Sequence, residues 1–349
     1  MAKIVIMGAG GFGTALALIL SKNRHQVRLW DRDKKLISHW QRNNFSDRYP
    51  YLKKHRFPKS LELASCGKIA SADFDFIIIS SSLAGLVPTL SHLDHFKLQT
   101  PIILIQKGMR DDLKSPTDIA REIFPKAIIL QFTGAGFAKD LANGSPAGMV
   151  VVHGKKERSV AKKFAQLFAG SGVWPTCYTD SFGINIHNTL RTIASFEQGF
   201  VYGYFEKKFK SCPPISTIAI TFSAINQEAK LIAQTLGASR EIHRIDSKIY
   251  RIIEADLMLC QNDSSRNFAL GHFVGRGLNL DNAIKKVTEG TAECLSNIPT
   301  IFLAVKKIIG TAKISKRYPY LMAAKSLISG NDIGEEMSKI FTHHESYTV

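Results

Sequence analysis

The sequence is poor in the features that mark secreted, disulfide-linked and membrane-spanning proteins. It has five cysteines in 349 residues, scattered and without a CxxC pair, which disfavours a disulfide framework or a zinc site and favours a reducing compartment. No apolar run reaches the roughly 18 residues that would span a bilayer. Four glycines interrupt the apolar opening after Met1, and no cleavage site follows, which disfavours a signal peptide. We therefore expect a soluble, cytoplasmic protein.

Acidic residues are also few relative to basic ones. The chain has 46 Lys and Arg against 29 Asp and Glu, for a formal net charge of +17. Such a field attracts anions, whether phosphorylated metabolites, nucleic acid or acidic membrane, and charge alone does not choose among them. The 11 histidines show no HExxH or similar spacing, so we expect no metal.

The two halves of the chain have different patterns of apolar residues. Residues 1–184 alternate apolar, β-rich runs with helical patterns, which predicts an α/β domain with a Rossmann-like parallel sheet that is buried on both faces. Residues 185–349 carry 3.6-periodic segments such as Thr221–Leu236 and Leu280–Ser296, which predict an all-α domain. The basic stretch Tyr204–Pro214 is predicted to be a loop. The predicted strands are Lys3–Met7, Gln26–Trp30, Phe74–Ser80, Ile102–Gln106, Ala127–Phe132 and Met149–His153.

A glycine-rich turn, GAGGFG at residues 8–13, lies between the first predicted strand and a helix. This is the context in which GxGxxG indicates dinucleotide binding, because the glycines allow a tight turn and bring the pyrophosphate to the helix N-terminus. Asp31 ends the second strand, where an acid binds the ribose hydroxyls of NAD, and Arg32 suits the extra phosphate of NADP. We expect NAD or NADP as cofactor, and the choice stays open.

With this turn, the sequence resembles the NAD(P)-dependent glycerol-3-phosphate dehydrogenases, which interconvert dihydroxyacetone phosphate and sn-glycerol 3-phosphate. Further motifs carry the resemblance: Tyr51-Leu52, Lys107-Gly108, the segment 133–138, the Ser-Arg-Asn triplet 265–267 and the VxEG element 287–290. It implies a helical C-terminal domain like that of 6-phosphogluconate dehydrogenase. The chain departs from the family pattern at Phe12, where members have Trp, and at Arg191-Thr192, where they have Lys-Asn.

The resemblance implies three sets of site residues. The catalytic set is Arg191, Lys107 and Asp256. The cofactor set is Gly8, Gly10, Gly11, Phe12, Gly13, Asp31, Arg32, Lys107, Ala138, Arg266, Val287 and Glu289. The set for a small phosphorylated substrate is Lys107, Gly134, Gly136, Thr192, Asp256, Ser265, Arg266 and Asn267.

Arg191 is the departure that bears most on the chemistry. A buried lysine can act as a proton donor because desolvation lowers its pKa, whereas arginine, with a pKa above roughly 12, stays a fixed cation. Such a cation stabilises a developing alkoxide, and Lys107 is then the nearest source of a proton. Asn188, Arg191 and Ser195 form one polar stripe of a helix, which faces either solvent or, as the resemblance implies, a cleft.

Two other functions stay open on the sequence alone. One is a catalytically impaired homologue that binds NAD(P) and a phosphate ester as a sensor or partner protein. The other is a nucleic-acid binder, suggested by the lysines and phenylalanines of 204–214 but disfavoured because no nucleic-acid-binding motif is recognisable. The sequence also leaves a homodimer open.

Overall fold

The structure, a computed structural model, describes residues 1–65, 73–93, 99–110, 112–244, 249, 265–287 and 292–331. It divides into two compact units. The first unit joins Met1–Lys107 to Lys114–Ser181, and the second joins Gly108–Leu113 to the chain from Phe182 onward. Across the described ranges, no helix has both the length and the apolar character that a membrane crossing requires.

The first unit is built on one sheet. Its strands, in chain order, are β1 (Lys3–Met7), β2 (Gln26–Asp31), β3 (Leu61–Ser65), β4 (Phe76–Ile79), β5 (Ile102–Leu104), β6 (Ile129–Ala135), β7 (Ala147–Val152) and β8 (Val173–Tyr178). Their spatial order is β3-β2-β1-β4-β5-β6-β7-β8. Each neighbouring pair is parallel except β6 and β7, which are antiparallel. The predicted Rossmann-like parallel sheet is confirmed as a mainly parallel sheet, in which β7 and β8 run opposite to the other six strands.

Two strands, β3 and β8, were not predicted. Both are edge strands of the sheet, and most of their residues are only half buried. Their sequences, LELAS and VWPTCY, therefore lack the continuous apolar run that marks a central parallel strand. The predicted strands all exist, with ends that move by a few residues.

Helices cover both faces of the sheet. They are α1 (Gly11–Lys22), α2 (Lys34–Asn43), α3 (Leu86–Leu90), α4 (Pro116–Ile123), α5 (Ala138–Ala142) and α6 (Arg158–Gln166). Because side chains alternate along a strand, Ile4 and Ile6 enter one apolar core with α1, while Val5 and Met7 enter a second core with α3 and α4. Each such side chain contributes roughly 1.5–3 kcal/mol on burial, which makes the sheet the rigid base of the unit.

The second unit is helical in the parts of the chain that are described. Its helices are α7 (Ser181–Phe209), α8 (Ile215–Thr235), α9 (Arg266–Gly275), α10 (Leu280–Lys286), α11 (Cys294–Ile309), α12 (Thr311–Arg317) and α13 (Pro319–Ile328). The predicted all-α character is confirmed. Every residue from Gly183 to Val201 is buried, so this part of α7 is enclosed on all sides.

Glycines bring the backbones of α7 and α9 into direct contact. A Cβ added at Gly199 or Gly203 of α7 would collide with a carbonyl of α9, and one added at Gly271 or Gly275 of α9 would collide with a carbonyl of α7. The four-residue spacing on each helix places both glycines on the facing side. The two helices therefore pack closer than side chains would permit.

Two element boundaries in this unit differ from the prediction. Residues 204–209 are not a loop: they continue α7, which ends where Lys210 adopts a φ of 55°. The predicted helix Leu280–Ser296 is not continuous, since α10 ends at Lys286 and Val287 is extended with a ψ of 110°. Both errors have one cause, because hydrophobic and polar periodicity does not record where the backbone leaves the helical conformation.

Two buried carboxyl groups, Glu197 of α7 and Glu228 of α8, lie inside this helical unit. The Glu228 carboxylate accepts the backbone N–H groups of Tyr320 (3.0 Å) and Leu321 (2.7 Å) in the first turn of α13. Burial raises the pKa of Glu228 to about 8 against the opposing effect of these donors. Burial, and then the neighbouring Glu228 carboxyl, raise the pKa of Glu197 well above 4.5. The folded chain therefore binds more protons than the unfolded chain between about pH 4.5 and 8.

We predict that the free energy of unfolding falls as the pH rises from about 4.5 to 8, because unfolding in this range releases protons that the folded state holds on these buried groups. Glu197→Gln removes one titrating group and should reduce that fall by at least about 1 kcal/mol. Urea unfolding at several pH values measures it. The exposed Glu62→Gln is the matched control and should keep the slope of the native protein. Equal slopes for Glu197→Gln and the native protein would contradict the assignment.

Candidate active site

The glycine turn closes the end of β1 against two neighbouring strands. Gly8 has a φ of +116°, and its N–H donates to the Trp30 carbonyl at 2.7 Å. A Cβ at Gly8 would lie 2.7 Å from the carbonyl oxygen of Ser80. Only glycine meets both conditions, so the carboxyl ends of β1, β2 and β4 converge on this residue.

The turn leads directly into the N-terminus of α1. Helix geometry leaves the first N–H groups, those of Gly11, Phe12 and Gly13, without an intrahelical carbonyl, and Gly10 at the N-cap has no side chain that could accept them. An added Cβ at Gly10 meets nothing within 4 Å. This open space, faced by N–H donors and the positive end of the helix, fits the pyrophosphate of a dinucleotide.

A pocket of about 400 Å³ opens beside this turn. Its lining residues come from the ends of β1, β2 and β4 and from the segments that follow them. They are Gly8, Gly10, Trp30, Asp31, Arg32, Arg48, Tyr49, Ser80, Ser81, Ser82, Gly85, Pro88, Thr89 and His92. Four residues of the predicted cofactor set, Gly8, Gly10, Asp31 and Arg32, are thus brought together.

Asp31 is held in place by the backbone. Its Oδ2 accepts the Ala9 N–H at 2.8 Å and its Oδ1 accepts the Asp33 N–H at 3.0 Å. The carboxylate therefore ties the glycine turn to the end of β2. A carboxylate has about four acceptor positions, so these two bonds leave capacity for ribose hydroxyls.

Among the residues of the pocket wall that the sequence did not predict are Arg48, Tyr49 and His92. His92 lies with its ring centroid 4.8 Å from that of Trp30, and the Arg48 guanidinium lies 6.0 Å from the centre of the Tyr49 ring. None of the three belongs to a local sequence motif. They reach the pocket wall only because the chain folds back to the carboxyl ends of the strands.

Other predicted residues of the first unit fall on β5, β6 and α5. Lys107 follows β5, and its Nζ donates to the Gly134 carbonyl at 3.0 Å. Gly134 lies in β6 with a φ of +140°, where a Cβ would lie 2.6 Å from the Gly148 carbonyl oxygen of β7. Ala138 begins α5 and lies against Gly11 of α1. The structure thus links Lys107 to the Gly134 segment.

In the second unit, Arg191 is buried, with 7% of its surface exposed. The alternative of a solvent-facing polar stripe is therefore wrong. Its neighbours join α7 to other helices, since Asn297 Nδ2 of α11 donates to Thr192 Oγ1 at 2.8 Å. The hydroxyls of Ser195 and Ser265 are 2.8 Å apart. A buried polar network thus surrounds the stretch that carries Arg191.

The triplet 265–267 lies at the start of α9, with two of its side chains buried and one exposed. Ser265, the N-cap of α9, and Asn267 are buried, and Asn267 Oδ1 accepts the Cys294 N–H at 2.9 Å. Arg266 is partly exposed, with its Nη2 3.5 Å from Glu293 Oε1. The buried pair fixes α9 against α7 and α11, and Arg266 projects from the helix start.

The remaining predicted residues are placed as follows. Val287 caps the C-terminus of α10. Gly136, after β6, is half buried, and an added Cβ there would lie 3.2 Å from Ala147 Cβ. Asp256 and Glu289 lie outside the described residues. Among residues that the structure does describe, no group of three or more His, Cys, Asp or Glu side chains is arranged to hold a metal.

Comparison with known proteins finds similarity to glycerol-3-phosphate dehydrogenases. Residues 3–159 match the model of the NAD-dependent glycerol-3-phosphate dehydrogenase N-terminus. The glycerol-3-phosphate dehydrogenase (NAD(P)+) of Ehrlichia ruminantium strain Gardel is 27% identical over 94% of this chain and 96% of its own length. The enzyme of the same name from Francisella tularensis subsp. novicida is 28% identical over 85% and 87%. These matches confirm the resemblance of this chain to the NAD(P)-dependent glycerol-3-phosphate dehydrogenases.

Solved structures of this family show the same two-part fold. The glycerol-3-phosphate dehydrogenase of Coxiella burnetii aligns with a TM-score of 0.78 at 19% identity, covering 97% of this chain and 98% of its own. That of Saccharomyces cerevisiae gives 0.78 at 16% identity, covering 97% and 99%. At these identities the alignments establish the fold, and they extend it through the helical half of this chain.

We predict that Gly10→Ala leaves the fold intact but weakens dinucleotide binding at least about tenfold. The reason is that the alanine methyl group would occupy the space that fits the pyrophosphate. The φ of −73° at Gly10 and its open surroundings should keep the free energy of unfolding within about 1 kcal/mol of the native value. Thermal unfolding and nucleotide fluorescence titration measure the two effects.

Gly8→Ala serves as the contrasting variant. Its positive φ and the nearby Ser80 carbonyl should lower stability by about 1–3 kcal/mol. Native nucleotide affinity in Gly10→Ala would show that the pyrophosphate does not lie at this turn.

Proposed function

We propose that this protein is an NAD(P)-dependent glycerol-3-phosphate dehydrogenase that interconverts dihydroxyacetone phosphate and sn-glycerol 3-phosphate by hydride transfer. The observation that carries the proposal is the glycine-turn pocket at the ends of β1, β2 and β4, in a chain whose residues 3–159 match the N-terminal model of the glycerol-3-phosphate dehydrogenases. No comparison supports the alternative of an impaired sensor. The compartment proposed is the cytoplasm, in keeping with the free thiols of Cys177, Cys212 and Cys294.

We assign the dinucleotide to residues 1–184 and substrate recognition mainly to residues 185–349. The donors of the α1 N-terminus suit the pyrophosphate, while Asp31 and Arg32 suit the adenosine end. Ser265, Arg266 and Asn267 offer a hydroxyl, a planar guanidinium and an amide, which suit a phosphate dianion. The net charge of +17 steers both anionic ligands toward the protein.

In the reductive direction, a reduced dinucleotide held by the glycine turn, Asp31 and Arg32 would supply the hydride that the carbonyl carbon of the substrate gains. The substrate oxygen then gains negative charge and needs a proton. Arg191, a buried and permanent cation, stabilises that charge electrostatically. Lys107 supplies the proton, since its amine can titrate and is oriented by the Gly134 carbonyl. Asp256 is proposed to orient one of these cations.

We predict that the native protein reduces dihydroxyacetone phosphate slowly and that Arg191→Lys raises kcat at least about tenfold. The reason is that a buried lysine adds general acid catalysis, typically worth about 10²–10⁴-fold, which arginine does not provide. The loss of reduced-nicotinamide absorbance measures the rate. Lys107→Met should lower the native rate by about 10²-fold or more.

Arg266→Lys is the matched control, because it makes the same change in the same unit at a partly exposed side chain. It should raise KM without raising kcat, as expected for loss of a bidentate phosphate contact. A kcat for Arg191→Lys that does not exceed the native value would remove Arg191 from the reacting oxygen. Absence of turnover in every variant, with nucleotide still bound, would refute the dehydrogenase function.

For the cofactor, we propose a preference for NADPH over NADH. Two arginines, Arg32 and Arg48, line the pocket that also holds Asp31. Two guanidinium groups can both contact a phosphate dianion on the ribose, which NADH lacks. The positive charge at this end of the pocket therefore outweighs the single carboxylate.

We predict that Arg32→Ala and Arg48→Ala each raise KM for NADPH at least about tenfold, since each removes a charge-assisted contact worth about 1.5–3 kcal/mol. KM for NADH should change little. Arg42→Ala, an exposed arginine of α2, is the control and should change neither. Equal use of NADH and NADPH by the native protein would contradict the preference.

A further inference from the structure

One end of the helical unit carries a dense positive surface, which we call the basic end. It consists of Lys207, Lys208 and Lys210 at the end of α7, Arg276 after α9, and Lys285 and Lys286 in the last turn of α10, all exposed. Contacts join these helix ends. Glu206 of α7 lies 2.9 Å from His272 Nε2 and 4.0 Å from Arg276 Nε.

Negative charge is scarce around these cations. Between residues 200 and 220 Glu206 is the single acidic residue of the sequence, and between 266 and 287 Asp281 is. Glu206 already interacts with His272 and Arg276. Six exposed cations thus face two carboxylates, one of which is engaged.

Large apolar side chains project from the same end. Phe209 is 54% exposed, Ile215 is 86% exposed, Ile220 is 51% exposed and Ile284 is 39% exposed. Phe209 and Ile215 flank the short connection from α7 to α8, and Ile284 precedes Lys285. Single exposed apolar residues are ordinary, but four of them set among lysines at one end form a mixed apolar and cationic surface of the kind that marks an interaction site.

We infer that the basic end binds the surface of anionic lipid membranes, without crossing them. Lysines at a membrane surface attract anionic headgroups, and apolar side chains between them enter the boundary of the acyl chains. Lys208 Nζ lies 5.5 Å from the centre of the Phe209 ring, so cationic and apolar side chains alternate on this surface.

Two other partners fit the surface less well. Nucleic acid would explain the cations, but the aliphatic Ile215 and Ile220 have no flat face on which a base stacks. A second copy of the chain would explain the apolar residues, but a symmetric interface on this surface would place lysines against lysines. Anionic lipid accounts for both the charge and the apolar side chains.

The test is sedimentation of the full chain with vesicles. We expect at least about tenfold more protein on phosphatidylcholine vesicles with about 30 mol% phosphatidylglycerol than on phosphatidylcholine alone. The triple variant Lys207→Glu, Lys208→Glu and Lys210→Glu should lose that difference. The matched control replaces three exposed lysines of the first unit, Lys155, Lys156 and Lys163, with Glu and should bind as the native protein does.

A second variant tests the apolar part of the surface. The double variant Phe209→Ser with Ile215→Ser keeps the charge and should reduce binding to anionic vesicles at least about fivefold. The binding that remains should be purely electrostatic, so added salt should weaken it more strongly than it weakens binding of the native protein. Both variants lie outside the proposed cofactor and phosphate sites and should keep native dehydrogenase rates and thermal stability, which separates lost binding from misfolding.

Three outcomes would overturn the inference. The first is equal binding to anionic and neutral vesicles. The second is an equal loss of binding in the charge-matched control, since this would show that net charge alone is responsible. The third is retention of duplex DNA or RNA at physiological salt by a protein that does not bind vesicles, because the surface would then serve nucleic acid.

Discussion

The absence of a side chain at Gly8 is the constraint on which the nucleotide pocket depends. The backbone there turns with a φ of +116° and passes so close to Ser80 that a methyl group would meet its carbonyl. This approach brings the ends of β1, β2 and β4 together and sends α1 away from them with its N-terminus exposed. The pocket lies at the carboxyl ends of the strands, where open parallel sheets bind their ligands.

The helical unit uses the same device for a different purpose. Glycines of α7 and α9, such as Gly199 and Gly271, let the two backbones touch, and the short separation brings the hydroxyls of Ser195 and Ser265 to 2.8 Å. A buried polar group is stable only with such partners. Close backbone packing therefore makes it possible for this unit to hold hydroxyls, amides and Arg191 in its interior.

Charge connects the chemistry to the rest of the molecule. The proposed mechanism depends on a buried arginine that keeps a permanent positive charge but has no titratable proton, and it therefore assigns proton transfer to the amine of Lys107. At the surface, basic residues are unevenly distributed. Those at the ends of α7 and α10 lie beside exposed apolar side chains, and we assign them to membrane binding rather than to attraction of the anionic ligands.

By itself the sequence determined the glycine turn, the central strands and the helical second half, because each follows from local backbone freedom or from the period of apolar residues. Only the tertiary structure decided the rest. Strand pairing decides the half-buried edge strands β3 and β8 and the reversed direction of β7 and β8. A backbone angle, the positive φ of Lys210, decides the end of α7 at Phe209, and periodicity records neither. The burial of Arg191 and the arrival of Arg48 in the pocket depend on distant segments packing together.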